Sequence, residues 1–210
     1  VYTSEAIGAV TGSGILRPIA ANPTLTVGGG DVSGDFAGTW VRSGSNYLNI
    51  TKTGTGTQTF SGTIDGAPGV LTVNGGAVDF TGTAVFGRRT SPNTGNIVTR
   101  AIQGSGTVGT SGSGSLLLRR SGDGFTGTLA VAGGTLTVAH PDAAGSGGLA
   151  LSGGTLAFSN AGSYFTVLGG TTLSGGTLTT DVTTDDYGTM HNTSGDVVPG
   201  STTHAYHGRI

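Results

Sequence analysis

The segment LLLRRSGDGFTGTLAVAGGTLTV, residues 116–138, contains the pattern that decides the fold. A short apolar run leads to a glycine turn, a Phe-Thr-Gly unit, an alternating run, Gly-Gly and a further run. The segment LNITKTGTGTQTFSGTIDGAPGVLTVNGGAVDF, residues 48–80, has the same order. The two copies differ by insertions at Gly and Pro positions, where loops accept extra residues. The chain therefore contains an internal repeat.

The glycines give this repeat its period. A Gly-Gly pair followed by a small and then an apolar residue occurs at positions 75–78, 133–136, 153–156 and 175–178. The starts of the last three copies, at Gly133, Gly153 and Gly175, are almost evenly spaced. Phe60 and Phe80, each followed by Ser-Gly or Thr-Gly, have the same separation as Gly133 and Gly153. The repeating unit is therefore about 20 residues long, a length typical of solenoid repeats.

Between the glycines, apolar residues alternate with Thr or Ser. Leu71 and Val73 share one face of their run, as do Leu136 and Val138, and Leu48, Ile50 and Lys52 share another. Alternation with period two predicts half-buried strands. No run has the spacing of an amphipathic helix, and each Gly would oppose a helix by about 1 kcal/mol relative to Ala. The sequence predicts an all-β fold.

Among all-β folds, the pattern favours a right-handed parallel β-helix over a sandwich. Asn74-Gly75 and Asp65-Gly66 are possible hairpin turns, which a sandwich would use. A repeat this short, with two or three brief strands, cannot cover its own apolar face, but stacked coils can cover one another. Inward aliphatic residues would then stack on their equivalents, outward Thr residues would form ladders, and glycines would occupy the corners.

This interpretation divides the chain into three parts. Residues 24–180 are predicted to form the β-helix, with roughly eight coils of the stated period. Residues 1–23 and 181–210 break the repeat, and we expect them to be caps or joins to further segments, because the open ends of a solenoid must be covered.

Composition limits the partners of the protein. The 210 residues include 43 Gly and no Cys, and the formal net charge is −2. No basic run exists to bind phosphates, which argues against a nucleic-acid partner. No apolar stretch approaches the length of a membrane span, which is about 18 residues or more. The start at Val1 suggests a mature or excised segment.

The two long copies resemble the autotransporter-associated β-strand repeat. Its pattern is Lys-x-Gly-x-Gly-Thr-Leu, a Tyr/Phe-Thr-Gly turn and then Gly-Gly-Thr-Leu. Residues 51–57 with Phe60-Ser61-Gly62 are the closest match, followed by Phe125-Thr126-Gly127 with residues 133–136. The resemblance covers about half of the chain and implies a parallel β-helix in a large secreted or surface-displayed bacterial protein. It brings no catalytic residues and no cofactor.

An enzyme is the main rival class, because β-helices can cleave acidic polysaccharides. Such a site needs clustered carboxylates or basic residues on one face. Asp65, Asp79 and Asp123 lie near turns, where Asp caps the backbone. The pairs Arg88-Arg89 and Arg119-Arg120 are typical of an exposed rim. We therefore predict no catalytic residues.

One group of side chains has the character of metal ligands. It comprises Asp181, Asp185, Asp186, His191, His204 and His207. These spacings match no zinc signature, and residues 28–31 do not supply the tandem units of a calcium-binding nonapeptide. We predict no metal and no cofactor.

Three functions remain open at this stage. The first is a non-catalytic stalk or passenger segment at the outer surface of a bacterium, in the manner of an adhesin. The second is a subunit that joins other chains, or further repeats of the same protein, through its coil edges. The third is a module that binds or cleaves a surface polysaccharide. All three place the protein outside the cell.

Overall fold

The chain folds as a right-handed parallel β-helix of about seven turns, as the sequence predicts. The computed structural model describes residues 3–64, 69–86, 102–119, 124–140, 142–159, 166–167, 169–180, 191–192 and 198–199. Within them there is no α-helix, and one 3-10 turn spans Gly29–Asp31.

The strands are all short. In chain order they are β1 (Glu5–Ile7), β2 (Ile15–Leu16), β3 (Thr24–Val27), β4 (Gly34–Phe36), β5 (Thr39–Trp40), β6 (Asn49–Lys52), β7 (Thr57–Phe60), β8 (Thr63–Ile64), β9 (Leu71–Val73), β10 (Ala77–Phe80), β11 (Thr83–Phe86), β12 (Ile102–Gln103), β13 (Thr107–Thr110), β14 (Ser115–Leu118), β15 (Thr128–Val131), β16 (Thr135–Val138), β17 (Gly148–Leu151), β18 (Thr155–Phe158), β19 (Thr166–Val167), β20 (Thr171–Leu173), β21 (Thr177–Thr180), β22 (His191–Asn192) and β23 (Val198–Pro199).

These strands form three long sheets; in the described structure the second and third continue into the C-terminal coils, whereas the first ends at β12. The first sheet has the order β1-β3-β6-β9-β12, the second β4-β7-β10-β13-β15-β17-β20-β23, and the third β2-β5-β8-β11-β14-β16-β18-β21; β19 pairs with β22 separately. Every ladder between these strands is parallel, which excludes the sandwich. Asn74-Gly75 is a turn from the first sheet to the second rather than a hairpin. Asp65-Gly66 lies outside the described residues.

The turns are fewer than the eight coils expected because the coils differ in length. Thr135 pairs with Thr155, whereas Ala77 pairs with Thr107, so the coil that begins at Ala77 is half as long again. The longer coil carries residues 87–101, which lie outside the described part of the chain. Insertions between strands thus add residues to a coil without disturbing the ladder.

Inward residues stack in columns, as the alternation predicts. In the third sheet one column runs through Trp40, Ile64, Ala84, Leu116, Leu136, Leu156 and Leu178, all at most 5% exposed. In the second sheet Phe36, Phe60 and Phe80 are followed by Thr110, Val131, Leu151 and Leu173. Each coil thus buries the apolar side chains of the next, which supplies the main stabilising term.

The N-terminal coils have an aromatic core. Phe60 stacks on Phe80 with ring centroids 5.7 Å apart, and Phe36 meets Phe60 edge-on at 6.4 Å. Trp40 lies 5.8 Å from Phe60 and 5.9 Å from Phe86. Such pairs add about 0.5–1.5 kcal/mol each beyond the burial of their area. The aromatic core therefore fixes how these coils pack on one another.

The N-terminal segment contributes the first strands of two of the three sheets. β1 pairs with β3 in parallel, and β2 pairs with β5. Residues 3–23 thus contribute backbone to the first and third sheets, while their role as a cap stays a prediction. Most of residues 181–210 lie outside the described part of the chain, so the C-terminal cap also stays a prediction.

A buried glutamine joins the first coil to the third. Gln58, 1% exposed, points inward from β7. Its Oε1 accepts a hydrogen bond from Val10 N at 3.0 Å, and its Nε2 donates to Val10 O at 2.9 Å. The intervening residue in the register is Gly34, where a Cβ would lie 2.9 Å from Val10 O, so glycine lets the backbone of Val10 approach. The backbone of Val10, which belongs to no strand, is thereby satisfied.

Thr171 is the opposite case, because it buries a hydroxyl without a partner. It is 5% exposed, and its Oγ1 makes no hydrogen bond. Its neighbour in the column is Leu149. We expect Thr171→Val to stabilise the protein by about 1 kcal/mol, since an unsatisfied buried group costs about 1–3 kcal/mol. Urea unfolding should show this gain, and the control Thr172→Val, at an exposed outward position, should change little. Equal effects of both substitutions would assign the gain to strand propensity instead.

Candidate functional site

Of the three candidate acids, the structure describes only Asp79. Asp79 lies on the outer face of the second sheet and accepts a hydrogen bond from Ser111 Oγ at 2.5 Å. Asp35, two coils away on the same face, accepts one from Ser61 Oγ at 2.7 Å. Thr59 stands between them in the register. Each of these two carboxylates therefore accepts a hydrogen bond from a serine of the adjacent coil. Asp65 and Asp123 lie outside the described residues.

The other predicted polar groups fall mostly outside the described part of the chain. Arg119 is exposed after β14, whereas Arg88, Arg89 and Arg120 are not described. Of the C-terminal group, the structure describes only the backbone of His191, in β22; Asp181, Asp185, Asp186, His204 and His207 are not described. Among the residues that are described, no three His, Asp or Glu side chains approach closely enough to hold a metal ion.

A buried lysine occupies the corner between the first and second sheets. Lys52 is fully buried at an inward position, between Val27 and Val73 in the column. Its Nζ donates hydrogen bonds to the carbonyl oxygens of Thr53 and, at 3.2 Å, Gly54. A Cβ on Gly28 would lie 2.9 Å from this Nζ, so glycine makes room for the amine. The lysine side chain therefore stabilises the turn that follows its own strand.

Burial governs the electrostatics of this corner. Burial lowers the pKa of the Lys52 ammonium below its ordinary value, and the negative charge of Asp31 opposes this shift by a smaller amount. The Asp31 carboxylate is itself held by the amide of Thr55, which donates to its Oδ1 at 2.7 Å. Hydrogen bonds to backbone carbonyls and the negative charge of Asp31 thus partly compensate the desolvation of the Lys52 ammonium.

We expect this corner to make stability depend on pH. Because the folded pKa of Lys52 lies below the unfolded value of about 10.4, the unfolded chain binds more protons between the two values. The free energy of unfolding should therefore rise with pH through that window. Urea unfolding at several pH values should show this rise in the wild type relative to Lys52→Met, which keeps a long side chain but cannot titrate. Parallel pH profiles for the two proteins would contradict the assignment.

The outer face of the third sheet has the most regular chemistry in the described structure. One position of each strand carries a hydroxyl, in an unbroken register from β5 to β21. We call this series the hydroxyl column; its members are Thr39, Thr63, Thr83, Ser115, Thr135, Thr155 and Thr177. At the next outward position of the strands, a second column runs through Val85, Leu117, Thr137, Ala157 and Thr179. Neither column contains a charged side chain.

Glycines fix the position of each hydroxyl. The amide of every member of the hydroxyl column donates to a glycine carbonyl one coil earlier, at 2.8–3.1 Å. The acceptors are Gly14, Gly38, Gly62, Gly82, Gly114, Gly134 and Gly154. A Cβ on Gly38, Gly62 or Gly82 would overlap the backbone of the coil beneath. The glycine corners thus allow the close approach that sets the hydroxyls in line.

The sequence predicted outward Thr ladders but not this single continuous column. Thr83 pairs with Ser115, which lies much further along the chain than one repeat, so a fixed period could not reveal that they are neighbours. The signal that could have found it is the small hydroxyl residue that directly follows glycine, as in Gly62-Thr63, Gly114-Ser115 and Gly134-Thr135.

No family model, no curated protein and no solved structure matches the chain. Within the described residues, no helix has the length and apolar character needed to cross a membrane.

Proposed function

We propose that this chain is a non-catalytic structural stalk or passenger segment of a secreted or surface-displayed bacterial protein. The observation that carries the proposal is the continuity of the third sheet, in which eight strands pair in parallel without a break from β2 to β21. Seven strand spacings of about 4.8 Å give a rod of about 34 Å. A rod of stacked coils holds whatever lies at its two ends at a fixed separation.

The chemistry of the coils supports this role. Interior columns are filled mainly by aliphatic and aromatic side chains, with Lys52, Gln58, Thr110 and Thr171 as buried polar residues, and the outward Thr and Ser residues are uncharged. The resemblance to the autotransporter repeat points to the bacterial outer surface. The sequence, which contains no Cys, agrees with that setting.

Protease treatment of intact bacteria that express the parent protein would test the location and the role together. We expect added protease to remove the chain from whole cells while a cytosolic marker stays intact. Deletion of residues 135–154, one full coil by the Thr135–Thr155 register, should leave display unchanged and shorten the rod by about 4.8 Å. Protection of the chain in intact cells, or loss of display on removing this one coil, would overturn the proposal.

A second candidate function is end-to-end docking through the N-terminal coil edge. The large apolar side chains that are most exposed in the described structure lie at this end: Ile7, Ile15, Ile19 and Val32. They lie beside β1 and β2, each of which pairs with a strand on one side only. Open edges of this kind accept another strand by β-augmentation.

Sedimentation velocity over a range of concentrations would test this docking. We expect association of the wild-type chain and its loss in Ile15→Lys, because Ile15 is 70% exposed and a charge there opposes edge pairing. The control is Thr172→Lys, at an exposed position of the second sheet. Thr72, also outward, is less suitable because its hydroxyl accepts a hydrogen bond from Gln103. A monomer at all concentrations would remove this candidate.

A further inference from the structure

We propose that the outer face of the third sheet binds ice. The face is defined by the hydroxyl column and the parallel second column beside it. This activity is independent of the stalk function, because it depends on the surface of the rod and not on what lies at its ends.

The first argument is spacing. The columns place equivalent side chains about 4.8 Å apart along the solenoid and about 6.6 Å apart along each strand. The shorter repeat is close to the separation of equivalent oxygens along one axis of hexagonal ice. Seven consecutive hydroxyls keep this repeat without a gap in register. A regular array of this length can order a first layer of water that merges with the crystal.

The second argument is rigidity. Each member of the hydroxyl column is held by the same amide-to-glycine hydrogen bond, within a range of 2.8–3.1 Å. β-Branched side chains have restricted χ1 rotation, and every member except Ser115 is Thr. Little conformational entropy remains to be lost when the face orders water, which lowers the cost of binding.

The third argument is chemical. Threonine presents a hydroxyl that can join a water lattice and a methyl group beside it, and the second column adds Val85, Leu117 and Ala157. No charged group in either column competes by holding its own disordered hydration shell. A sugar polymer would be expected to stack on aromatic rings, and neither column contains one. The face therefore fits ice better than polysaccharide.

Ice-affinity growth with the purified chain tests the proposal. We expect the wild type to enter a slowly growing ice hemisphere and to inhibit recrystallisation. Thr83→Tyr, at an exposed central position of the hydroxyl column, should abolish both effects because the ring prevents flat contact. The matched control is Thr172→Tyr, at an exposed outward position of the second sheet. Circular dichroism should show that both variants stay folded.

Each outcome decides the matter. Exclusion of the wild type from ice would overturn the proposal, as would equal loss of activity in both variants. Binding of the wild type to insoluble cellulose or chitin, with no entry into ice, would also overturn it and assign the face to polysaccharide. If Thr83→Tyr fails to fold, Thr83→Val, which keeps the branched shape and removes the hydroxyl, should still weaken recrystallisation inhibition; full activity would count against the hydroxyl column.

Discussion

Gly62→Ala should be among the most damaging single-methyl changes in this chain. The Cβ that alanine adds would overlap the carbonyl oxygen of Gly38 and approach the carbonyl carbon of Ala37 at 2.6 Å. Both are backbone atoms of the coil beneath, so no side-chain rotation can relieve the contact. The coils would have to separate at the corner, which would break the hydrogen bond from Thr63 N to Gly38 O.

The expected cost is at or above the upper end of overpacking, about 3 kcal/mol. For a chain of this size each kcal/mol lowers the melting temperature by about 2–4 °C, so thermal unfolding should show a fall of about 6–12 °C or more. Gly14→Ala is the matched control. Gly14 occupies the same column at its N-terminal end, and a Cβ there meets nothing within 4 Å. Equal melting temperatures for the two variants would mean that the corners are not packed as described.

This glycine shows how far sequence reasoning extends. The spacing of Gly-Gly and Phe-x-Gly units predicted the parallel solenoid, its inward columns and corners that need either a positive φ or close backbone approach. Gly62 meets the second condition, and Gly76, with φ of 60°, meets the first. These features follow from local alternation and period, which are written in neighbouring residues.

The sequence could not predict contacts that depend on the length of a coil. Gln58 bonds to Val10, two coils earlier, and no local pattern connects them. The burial of Lys52 was implicit in its position beside Leu48 and Ile50, but its carbonyl partners follow from the conformation of the next turn. The hydroxyl column requires the register across the long step from Thr83 to Ser115.

Phe60→Ala should cause the other large loss of stability. Phe60 is 1% exposed and contacts three aromatic rings, those of Phe36, Trp40 and Phe80. Truncation of a buried Phe to Ala costs about 3–5 kcal/mol through lost burial and the cavity that remains. We expect the melting temperature to fall by about 6–20 °C, at about 2–4 °C per kcal/mol. Phe60→Leu should cost much less, because Leu151 and Leu173 already occupy the same column.

The loss should also be local. A solenoid coil contacts only its neighbours, so a cavity in one coil weakens the adjacent interfaces more than distant ones. Hydrogen exchange in Phe60→Ala should therefore accelerate first in β4, β7 and β10, while β16 and β18 keep their protection. Trp40 is the sole tryptophan of the sequence and lies 5.8 Å from Phe60, so its fluorescence should report the N-terminal coils alone. If exchange accelerates equally in all coils, or if fluorescence and circular dichroism lose signal at one temperature, the rod unfolds as a single cooperative unit and its coils do not act as separable elements.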